Sequence, residues 1–440
     1  MESQTVRVID DAPPRSRGSY KWWVVGMLWC ICFLNYADRQ AISALFPVLR
    51  SRFGFSATQL GLIGSAFMWT YAFGGPFAGF IGDRLRRKDL ILGGCCFWSL
   101  ITLSTGWCGK LWQFVFVRGL EGLGETFYFP SSMSLISDYH GPATRSKAMS
   151  LHQSSVYIGT VLGSWLAAVL AEHVGWRAGF YLFGTCGIML ALVLMRFLRE
   201  PPRGQADRDP DQARNDAITV PEAVAAVFQT PTAILLMAAF VGANFVATIF
   251  LTWMPTFLTD KFHFGLATAG LFGTVFIHLS SAVGAPLGGV LADRLRRDLP
   301  GGRILVQAGG LLIGAGFLVL VGVTTRVGVL LAAMTLLGFC KGLYDSNIFA
   351  SLYDTIEPRA RSTAAGIMNT VGWAGGALGP LFVGMMTGNG SRGEQIHNMS
   401  RAIALTGAIY LVVAALLLCT ALVFAPRDCP PTTAAIHQRS

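Results

Sequence analysis

Long runs of apolar residues are the feature that most constrains how this 440-residue chain can fold. A membrane-spanning helix needs about 20 largely apolar residues, because its backbone must satisfy its own hydrogen bonds in lipid. Hydrophobic residues make up 53% of the chain and charged residues only 13%, whereas charged residues are about 25% of a typical soluble domain. The sequence therefore predicts an all-α membrane protein with twelve transmembrane spans. In chain order, the predicted spans 1 to 12 are 22–46, 57–81, 90–109, 111–136, 148–172, 176–198, 232–258, 266–291, 304–324, 327–353, 362–387 and 402–425.

One long polar and Pro-rich stretch lies between spans 6 and 7 and divides the chain into two halves. With both termini placed on the cytoplasmic side, 23 of the 34 Lys and Arg residues fall in cytoplasmic segments and eight in the opposite loops, as the positive-inside rule requires. The predicted parts are a cytoplasmic N-terminal tail (1–21), an N-terminal six-helix bundle (22–198), a cytoplasmic central linker (199–231), a C-terminal six-helix bundle (232–425) and a cytoplasmic C-terminal tail (426–440).

The two halves repeat each other. The five residues 83–87, DRLRR, recur at 293–297, an offset of 210, and the match extends upstream into spans 2 and 8. A second pairing joins the Arg-Ser at 145–146 to the Arg-Ser at 361–362, with an offset of 216. Two halves with repeated loops in the same orientation are typical of a duplicated transporter whose binding site lies at the interface of the repeats.

Ionisable side chains inside two of the spans carry the strongest functional signal. In span 4, RGLEGLGE (118–125) places Arg118, Glu121 and Glu125 at i, i+3 and i+7, which is one face of a helix. In span 1, Asp38 and Arg39 are neighbours in sequence, so about 100° separates them around the axis. Each such charge costs roughly 2.5–3.5 kcal/mol in a membrane and marks ion or substrate pathways. We therefore expect these groups to face a polar cavity or each other.

The loop after span 2, GDRLRRK (82–88), and its second copy ADRLRRD (292–298) resemble the signature loop of the major facilitator superfamily. The resemblance covers the chain from span 1 to span 12. It implies two pseudo-symmetric six-helix bundles that work by alternating access. An acid at a helix end with bases beside it can hold one bundle against the other through ion pairs and helix dipoles; alternatively, the bases at 86–88 act only as topology signals. The candidate gating residues are Asp83, Arg84, Arg87, Asp293, Arg294 and Arg297.

Two groups within that superfamily share further motifs with the chain. LNYADR (34–39), FYFPSS (127–132) and GWR (175–177) resemble the anion:cation symporters, which include sugar-acid carriers. ISDYHGPATRS (136–146) and EPRARSTAAGIMN (357–369) resemble the spinster-like carriers of sphingolipids and lysolipids. In both groups, the matching acid–base pair of span 1 and the matching Glu of span 4 are implicated in proton coupling; the alternative is a set of structural ion pairs. The candidate proton-coupling residues are Asp38, Arg39, Arg118, Glu121 and Glu125.

The second half differs from the first at the charged positions. Under the offset of 216, Glu125 corresponds to Lys341, so a base replaces the acid. A lone base in a span suits pairing with an anionic group of a substrate, and an internal pair between Lys341 and Asp345 is the alternative. Neighbouring aromatic and amide side chains can add hydrogen bonds, although a tyrosine at the position of Tyr71 more often packs between helices than contacts a ligand. The candidate substrate-binding residues are Asn35, Tyr71, Tyr128, Gln153, Lys341, Tyr344, Asn347 and Asn369.

Several functional classes find no support in the sequence. No Gly-Lys-Ser phosphate loop is present, so we do not expect ATP to drive the protein. The nine cysteines show no zinc or redox spacing, and no Ser-His-Asp arrangement appears in the loops. We therefore expect neither an enzyme nor a cofactor or metal. The net charge of +10 resides in short loops between apolar runs and does not predict nucleic-acid binding.

The combined prediction is a proton-coupled symporter of the plasma (inner) membrane that imports a small organic anion, such as a sugar acid or other carboxylate. Its expected partners are the anionic substrate, protons and the lipid bilayer, and we expect a monomer. The alternative within transport is a spinster-like carrier of a lysophospholipid or related amphiphile. The alternative outside transport is a membrane sensor that binds its ligand without moving it.

Overall fold

The computed structural model describes residues 19–82, 84–202, 205 and 219–428, and these residues form helices and loops with no strand. The helices make up twelve spans in the predicted order. Their bounds are Tyr20–Ala44 with Phe46–Phe53 (span 1), Ala57–Gly82 (2), Arg87–Thr105 (3), Leu111–Glu125 with Tyr128–Tyr139 (4), Pro142–His173 (5), Arg177–Phe197 (6), Pro231–Phe262 (7), Leu266–Asp298 (8), Gly302–Val323 (9), Val327–Asp345 with Ile348–Thr355 (10), Arg361–Thr387 (11) and Arg392–Cys419 (12).

Seven helical segments among the described residues are by themselves long and apolar enough to cross a membrane, and they correspond to spans 5 to 10 and span 12. Spans 1 and 4 carry buried charges, among them Asp38, Arg118 and Glu125. Span 4 is also divided, since its first helix ends at Glu125 and its second begins at Tyr128. Span 10 is divided in the same way after Asp345. Both interruptions therefore adjoin charged side chains.

Short helices complete the described chain at its connections. Within the predicted linker, Val220–Phe228 forms a helix that contacts spans 7 and 11. A single 3-10 turn, Pro358–Ala360, precedes span 11, and a π-helical turn, Thr420–Phe424, continues span 12 into Ala425–Asp428. The predicted tails at 1–18 and 429–440 and most of the linker lie outside the described residues.

The two halves meet along spans 2 and 11 and along spans 5 and 8, with span 1 also against span 7. We call the side that holds Ser19 and Asp428 the terminal side and the other side the far side. On the far side, Thr58 donates a hydrogen bond to the carbonyl oxygen of Gly384 at 3.2 Å. Ser164 donates one to the carbonyl oxygen of Gly270 at 2.8 Å. These bonds hold the halves together at the far side.

An ion pair at the far side joins the first spans of the two halves. Arg50, near the end of span 1, donates to Asp260, near the end of span 7, at 2.7 Å. The two residues are 210 positions apart, the offset of the first repeat pairing, so they are symmetry-related positions that bind each other. Arg392 of span 12 also donates to the buried Asp260 carboxylate, at 2.6 Å. The far side is thus closed by ion pairs as well as by helix packing.

Glycine allows the closest approach between the halves. A Cβ atom at Gly61 in span 2 would lie 2.5 Å from the carbonyl oxygen of Pro380 in span 11. A Cβ at Gly384 would lie at the same distance from the carbonyl oxygen of Ala57. A side chain at either position would collide with the backbone of the facing helix and force the two helices apart. Small residues permit such close contacts between membrane helices. Closure of the far side therefore requires glycine at both positions.

We expect Gly61→Val to prevent closure of the far side, because its Cβ would meet backbone rather than a side chain that can move aside. Spin labels at the exposed far-side positions Lys110 and Arg326, in a variant without other reactive cysteines, report the separation of the halves. The label-to-label distance should increase in Gly61→Val. Gly26→Val is the matched control, because nothing lies within 4 Å of a Cβ at Gly26. An unchanged distance in Gly61→Val would contradict the packing argument.

We expect Asp260→Asn to open the far side as well, because it leaves Arg50 and Arg392 beside each other without a counter-charge. Hydrogen bonds to charged groups contribute about 1.5–3 kcal/mol, which corresponds to roughly a ten- to hundredfold shift in the ratio of closed to open molecules. The same pair of spin labels measures that ratio. Arg392→Gln is the control and should shift it less, since the Arg392 side chain is 55% exposed and the Arg50 side chain only 15%. Equal effects of the two substitutions would refute a specific role for the Arg50–Asp260 pair.

Candidate functional site

A buried ion pair connects spans 1 and 4 inside the N-terminal half. The Arg39 guanidinium donates to Oε2 of Glu125 from Nε at 3.0 Å and from Nη2 at 2.5 Å. The Glu125 side chain is fully buried, and that of Arg39 is 12% exposed. Arg39 Nη2 also lies 3.4 Å from the amide oxygen of Asn35, one turn earlier. Two nitrogens on one carboxylate oxygen make a charge-assisted contact that holds span 1 against the end of the first helix of span 4.

Two further acids and a second arginine adjoin this pair. Arg118 donates to Glu121 at 2.5 Å, one turn along span 4, and to the backbone carbonyl of Arg39 at 3.3 Å. Asp38 accepts a hydrogen bond from Thr102 of span 3 at 3.2 Å. Single carboxylate oxygens of Asp38, Glu121 and Glu125 all lie within 4.8 Å of one another. Although Asp38 and Arg39 point in different directions, both therefore reach the span 4 side of the bundle.

The cluster holds three acids against two bases. Oδ1 of Asp38 and Oε1 of Glu125 are buried and accept no hydrogen bond from the described residues. A site with one more carboxylate than guanidinium groups, shielded from water, can hold one extra proton at low cost, because protonation both neutralises the excess charge and supplies a donor. Three carboxylates at this spacing also have the proximity of metal ligands. Two of the three already accept from arginines, however, so the surroundings favour a proton over a divalent metal.

Aromatic rings surround the Arg39 guanidinium. Its central carbon lies 4.5 Å from the ring centroids of Tyr36 and Phe67, 5.2 Å from that of Tyr71 and 5.6 Å from that of Trp373. Tyr36, Phe67 and Tyr71 belong to spans 1 and 2, whereas Trp373 belongs to span 11 in the other half. Cation–π contacts of this kind compensate a buried cation for the water it has lost.

A cavity of about 750 Å³ lies between the two halves, next to this cluster. Much of its wall is apolar, formed by aromatic and aliphatic residues of spans 7, 8 and 10. Its polar groups come from both halves, and several lie towards the terminal side on span 10. The lining includes Tyr36, Tyr71, Gln153, Tyr157, Phe240, Asn244, Phe250, His278, Leu337, Lys341, Asp345, Phe349, Tyr353, Asn369, Trp373 and Tyr410. The cavity is thus amphiphilic, with charged and amide groups set into an apolar wall.

Lys341 and Asp345 form an ion pair in the cavity wall. The pair lies within one helix, four residues apart, and its side chains retain 23% and 33% exposure. The sequence left open whether Lys341 binds a substrate or pairs internally. In this structure it pairs with Asp345 and remains open to the cavity. An entering anion can therefore compete with Asp345 for the ammonium group.

The structure separates the predicted substrate-binding residues into two sets. Tyr71, Gln153, Lys341 and Asn369 line the cavity. The remaining four, all buried among the helices and outside the described lining, are Asn35, Tyr128, Tyr344 and Asn347.

Two of the latter four are held by bonds to neighbouring groups. The Tyr128 hydroxyl donates to the carbonyl oxygen of Leu28 at 2.6 Å and lies 2.9 Å from Nε2 of His152. The Asn347 amide donates to the carbonyl oxygen of Leu343 at 3.0 Å. These side chains support the helices that form the cavity wall.

The predicted gating residues form contacts within each half. Arg87 pairs with Asp138, and with Glu200 at 2.9 Å, all in the N-terminal half. In the C-terminal half, Arg303 pairs with Asp354 at 3.1 Å and with Asp293 at 2.6 Å. Arg294 and Arg297 are exposed, Arg84 lies in the turn after span 2, and Asp83 lies outside the described residues. The ion pairs of Arg87 and of Asp293 each lie on their own side of the interface between the halves.

The structure also corrects the register of the repeat at this loop. The DRLRR motif, with its offset of 210, aligns Arg87 with Arg297. The side chain that occupies the position of Arg87 is instead Arg303, because each begins the third span of its half and pairs with the matching acid, Asp138 or Asp354. That relation has the offset of 216. Span 2 ends at Gly82, whereas span 8 continues as a helix to Asp298, and this helical extension separates the DRLRR motif from Arg303; Arg296 of the motif also pairs with Asp354.

Several residues of the site were not selected from the sequence. Trp373 and Tyr157 resemble ordinary packing residues in an apolar run, and only the fold places them in the cavity wall. His278 fitted a packed position, yet its ring lies in the wall, 5.6 Å from the ring of Tyr157. Tyr36 belongs to the LNYADR motif, and its position one turn before Arg39 was the one sequence signal that it could belong to the site. Asn244 of span 7 also lines the cavity.

Comparisons with known proteins agree with this architecture. A family model described as Major Facilitator Superfamily matches residues 28–380 and 258–439. The human protein named "Protein spinster homolog 1" is 28% identical over 392 residues, which cover 83% of this chain and 72% of that protein. The "Probable galactarate/D-glucarate transporter GudP" of Bacillus subtilis is 26% identical, with 84% of this chain and 87% of that protein covered.

A solved structure has the same fold. It is described as a bacterial homologue of the human lysosomal transporter Spinster in an inward-facing, unoccupied conformation. It aligns with a TM-score of 0.83 and 22% identity, over 94% of this chain and 99% of that chain. The family match over most of the chain, on a duplicated twelve-span helical fold with a cavity between its halves, identifies the protein as a membrane transporter of the Major Facilitator Superfamily.

Proposed function

We propose that this transporter is a proton-coupled symporter whose cargo is an organic anion with a substantial apolar part. The observation that carries the proposal is the position of a buried acid–base cluster beside an amphiphilic cavity. Protons have a site at Asp38 and Glu125, and the cargo has a site at Lys341. The two sites belong to opposite halves, so movement of the halves can couple them.

The proton site is supported by the contacts of the cluster. Arg39 and Arg118 bind two of the three carboxylates, and Asp38 keeps one buried oxygen free. Binding of a proton weakens the hold of arginine on a carboxylate, since a neutral acid attracts guanidinium less strongly. Proton binding therefore changes the contact between spans 1 and 4, which is the kind of local change that can shift a two-state equilibrium.

The cargo class follows from the cavity wall. Lys341 offers a cation that an acidic group of the cargo can bind in exchange for Asp345. Phe240, Phe250 and Leu337 offer an apolar surface that a small, fully hydroxylated acid would leave uncovered. An anion with an apolar body fits both features. This refines the prediction from sequence, which favoured a small carboxylate.

A sugar acid is the second candidate. The amide groups of Gln153, Asn244 and Asn369 in the cavity can bind hydroxyl groups, and one relative is named as a probable galactarate/D-glucarate transporter. Uptake assays in proteoliposomes distinguish the two candidates, because accumulation of labelled sugar acids would favour the second and accumulation of an amphiphilic anion the first. A sensor would bind its ligand without accumulating either.

We place the terminal side in the cytoplasm of a cell bounded by a plasma (inner) membrane, because Lys and Arg concentrate in the segments on that side. With this orientation, the closed far side faces outward and the structure corresponds to an inward-facing state. In this proposal the protein is a monomer embedded in the lipid bilayer, and its partners are an organic anion and protons, without nucleic acid. Labelling of cysteines introduced at the ends of the spans, from either side of intact cells, tests the orientation.

We expect Asp38→Asn and Glu125→Gln each to abolish accumulation driven by a pH gradient while leaving cargo exchange partly intact, because neither variant can exchange a proton at that position. Proteoliposomes with an imposed gradient measure accumulation, and counterflow measures exchange. Asp89→Asn is the control, since Asp89 is an exposed acid paired with Arg86 at the surface. Concentration of cargo against its gradient by both coupling variants would show that the proton site lies elsewhere.

If the cargo anion competes with Asp345 for Lys341, substitutions of these two residues should have opposite effects on cargo binding. Lys341→Met should weaken cargo binding by roughly tenfold, the equivalent of about 1.4 kcal/mol for one lost charged contact. Asp345→Asn should strengthen it, because the ammonium group is then free for the anion. Binding is measured by thermal stabilisation of the purified protein over a range of cargo concentrations. Equal weakening by both substitutions would favour a purely structural pair.

A further inference from the structure

A small apolar cluster lies between the proton site and the cavity, and both halves contribute to it. Phe67, Met68 and Tyr71 of span 2 pack with Ala377 and Trp373 of span 11. The rings of Tyr71 and Trp373 are in contact, with centroids 5.1 Å apart. This interface cluster is separate from the two larger apolar clusters of the described residues, one of which extends over both halves.

The cluster covers the side of the ion pair that faces the cavity. Tyr36, Tyr71 and Trp373 line the cavity, whereas Arg39 and Glu125 are absent from its described lining. Phe67 lies against both guanidinium groups of the cluster, at 4.5 Å from that of Arg39 and 4.9 Å from that of Arg118. A proton that passes between the cavity and Glu125 must therefore cross this aromatic layer.

Trp373 differs from the other rings of this layer because it comes from the opposite half. Tyr36, Phe67 and Tyr71 move with the N-terminal half and hence with Arg39. Trp373 moves with span 11. Any rotation of one half against the other thus changes the distance from Trp373 to Arg39, 5.6 Å in this state, while the other three contacts can persist.

We propose that Trp373 is a positioning residue that covers the proton site and uncovers it when the halves move. The inference rests on the proposed proton coupling and adds the element through which the C-terminal half controls access to the site. The charged and titratable groups around Glu125 and Arg39 come from spans 1, 2, 3 and 4 and are Cys32, Tyr36, Asp38, Tyr71, Cys95, Arg118 and Glu121.

A proton-leak experiment without cargo tests the role of Trp373. Proteoliposomes that contain a pH-sensitive dye are given a pH gradient, with potassium and valinomycin to balance charge. We expect Trp373→Ala to dissipate the gradient roughly ten- to thirtyfold faster than the unaltered protein, a ratio that corresponds to loss of one desolvated cation–π contact. Trp373→Phe should retain most of the barrier, because a ring remains at the position.

Two further variants separate the proposed role from a general loss of packing. Phe382→Ala removes a ring from the same span that packs on Phe245 within the C-terminal half, and it should not leak. Adding Glu125→Gln to Trp373→Ala should remove the leak, because the proton then has no acceptor behind the opened layer. A leak that persists in this double variant, or no leak in folded Trp373→Ala, would overturn the proposal.

Chemical labelling gives a readout that does not depend on a tight membrane. Glu125 should react faster with an apolar carbodiimide in Trp373→Ala than in Trp373→Phe, as measured by mass spectrometry of the purified protein. Equal labelling in the two variants counts against the proposal. Failure of the proposed function is a different result: the unaltered protein would then accumulate no cargo under a pH gradient, whereas the leak and labelling differences would remain.

Discussion

The contact between Arg39 and Glu125 is the interaction on which the arrangement of the N-terminal half depends. Lipid gives no solvation to a charge, so each ionised group in a span must find an opposite charge, a hydrogen bond or an aromatic face. Arg39 has all three, through Glu125, Asn35 and the surrounding rings. The need to satisfy these groups fixes the rotation of spans 1 and 4 relative to each other and places the acids beside the interface of the halves.

Symmetry-related residues of the two halves close the far side, whereas residues that differ between the halves provide the charged groups near the middle of the membrane. At the far side, Arg50 and Asp260 occupy matching positions and bind each other across the interface. Near the middle, matching positions hold Glu125 in one half and Lys341 in the other, so one half carries the acid cluster and the other presents a base to the cavity. Symmetry makes rocking of two similar bundles possible, and asymmetry places the acid cluster and the cavity base in different halves.

The glycine contacts explain how the same interface can open and close. At Gly61 and Gly384, backbone meets backbone with no side chain between, so these contacts carry little chemical specificity and can separate as a unit. Trp373 stands on the same span 11, two turns of helix before Pro380, and reaches across to Tyr71. Closure of the far side and the aromatic contact beside Arg39 therefore involve one pair of helices, spans 2 and 11.

The sequence by itself determined the twelve spans, their duplication and the candidate coupling residues, because lipid imposes a length and a polarity on each helix that local composition records directly. Only the tertiary structure decided which candidates meet. It placed Tyr128 and Asn347 among the helices, put Trp373 of the other half beside Arg39, and showed that Arg303 rather than Arg297 matches Arg87. These outcomes depend on the rotation of each helix about its axis and on the residue at which each helix ends, and helix-to-helix packing sets both in ways that no single stretch of sequence specifies.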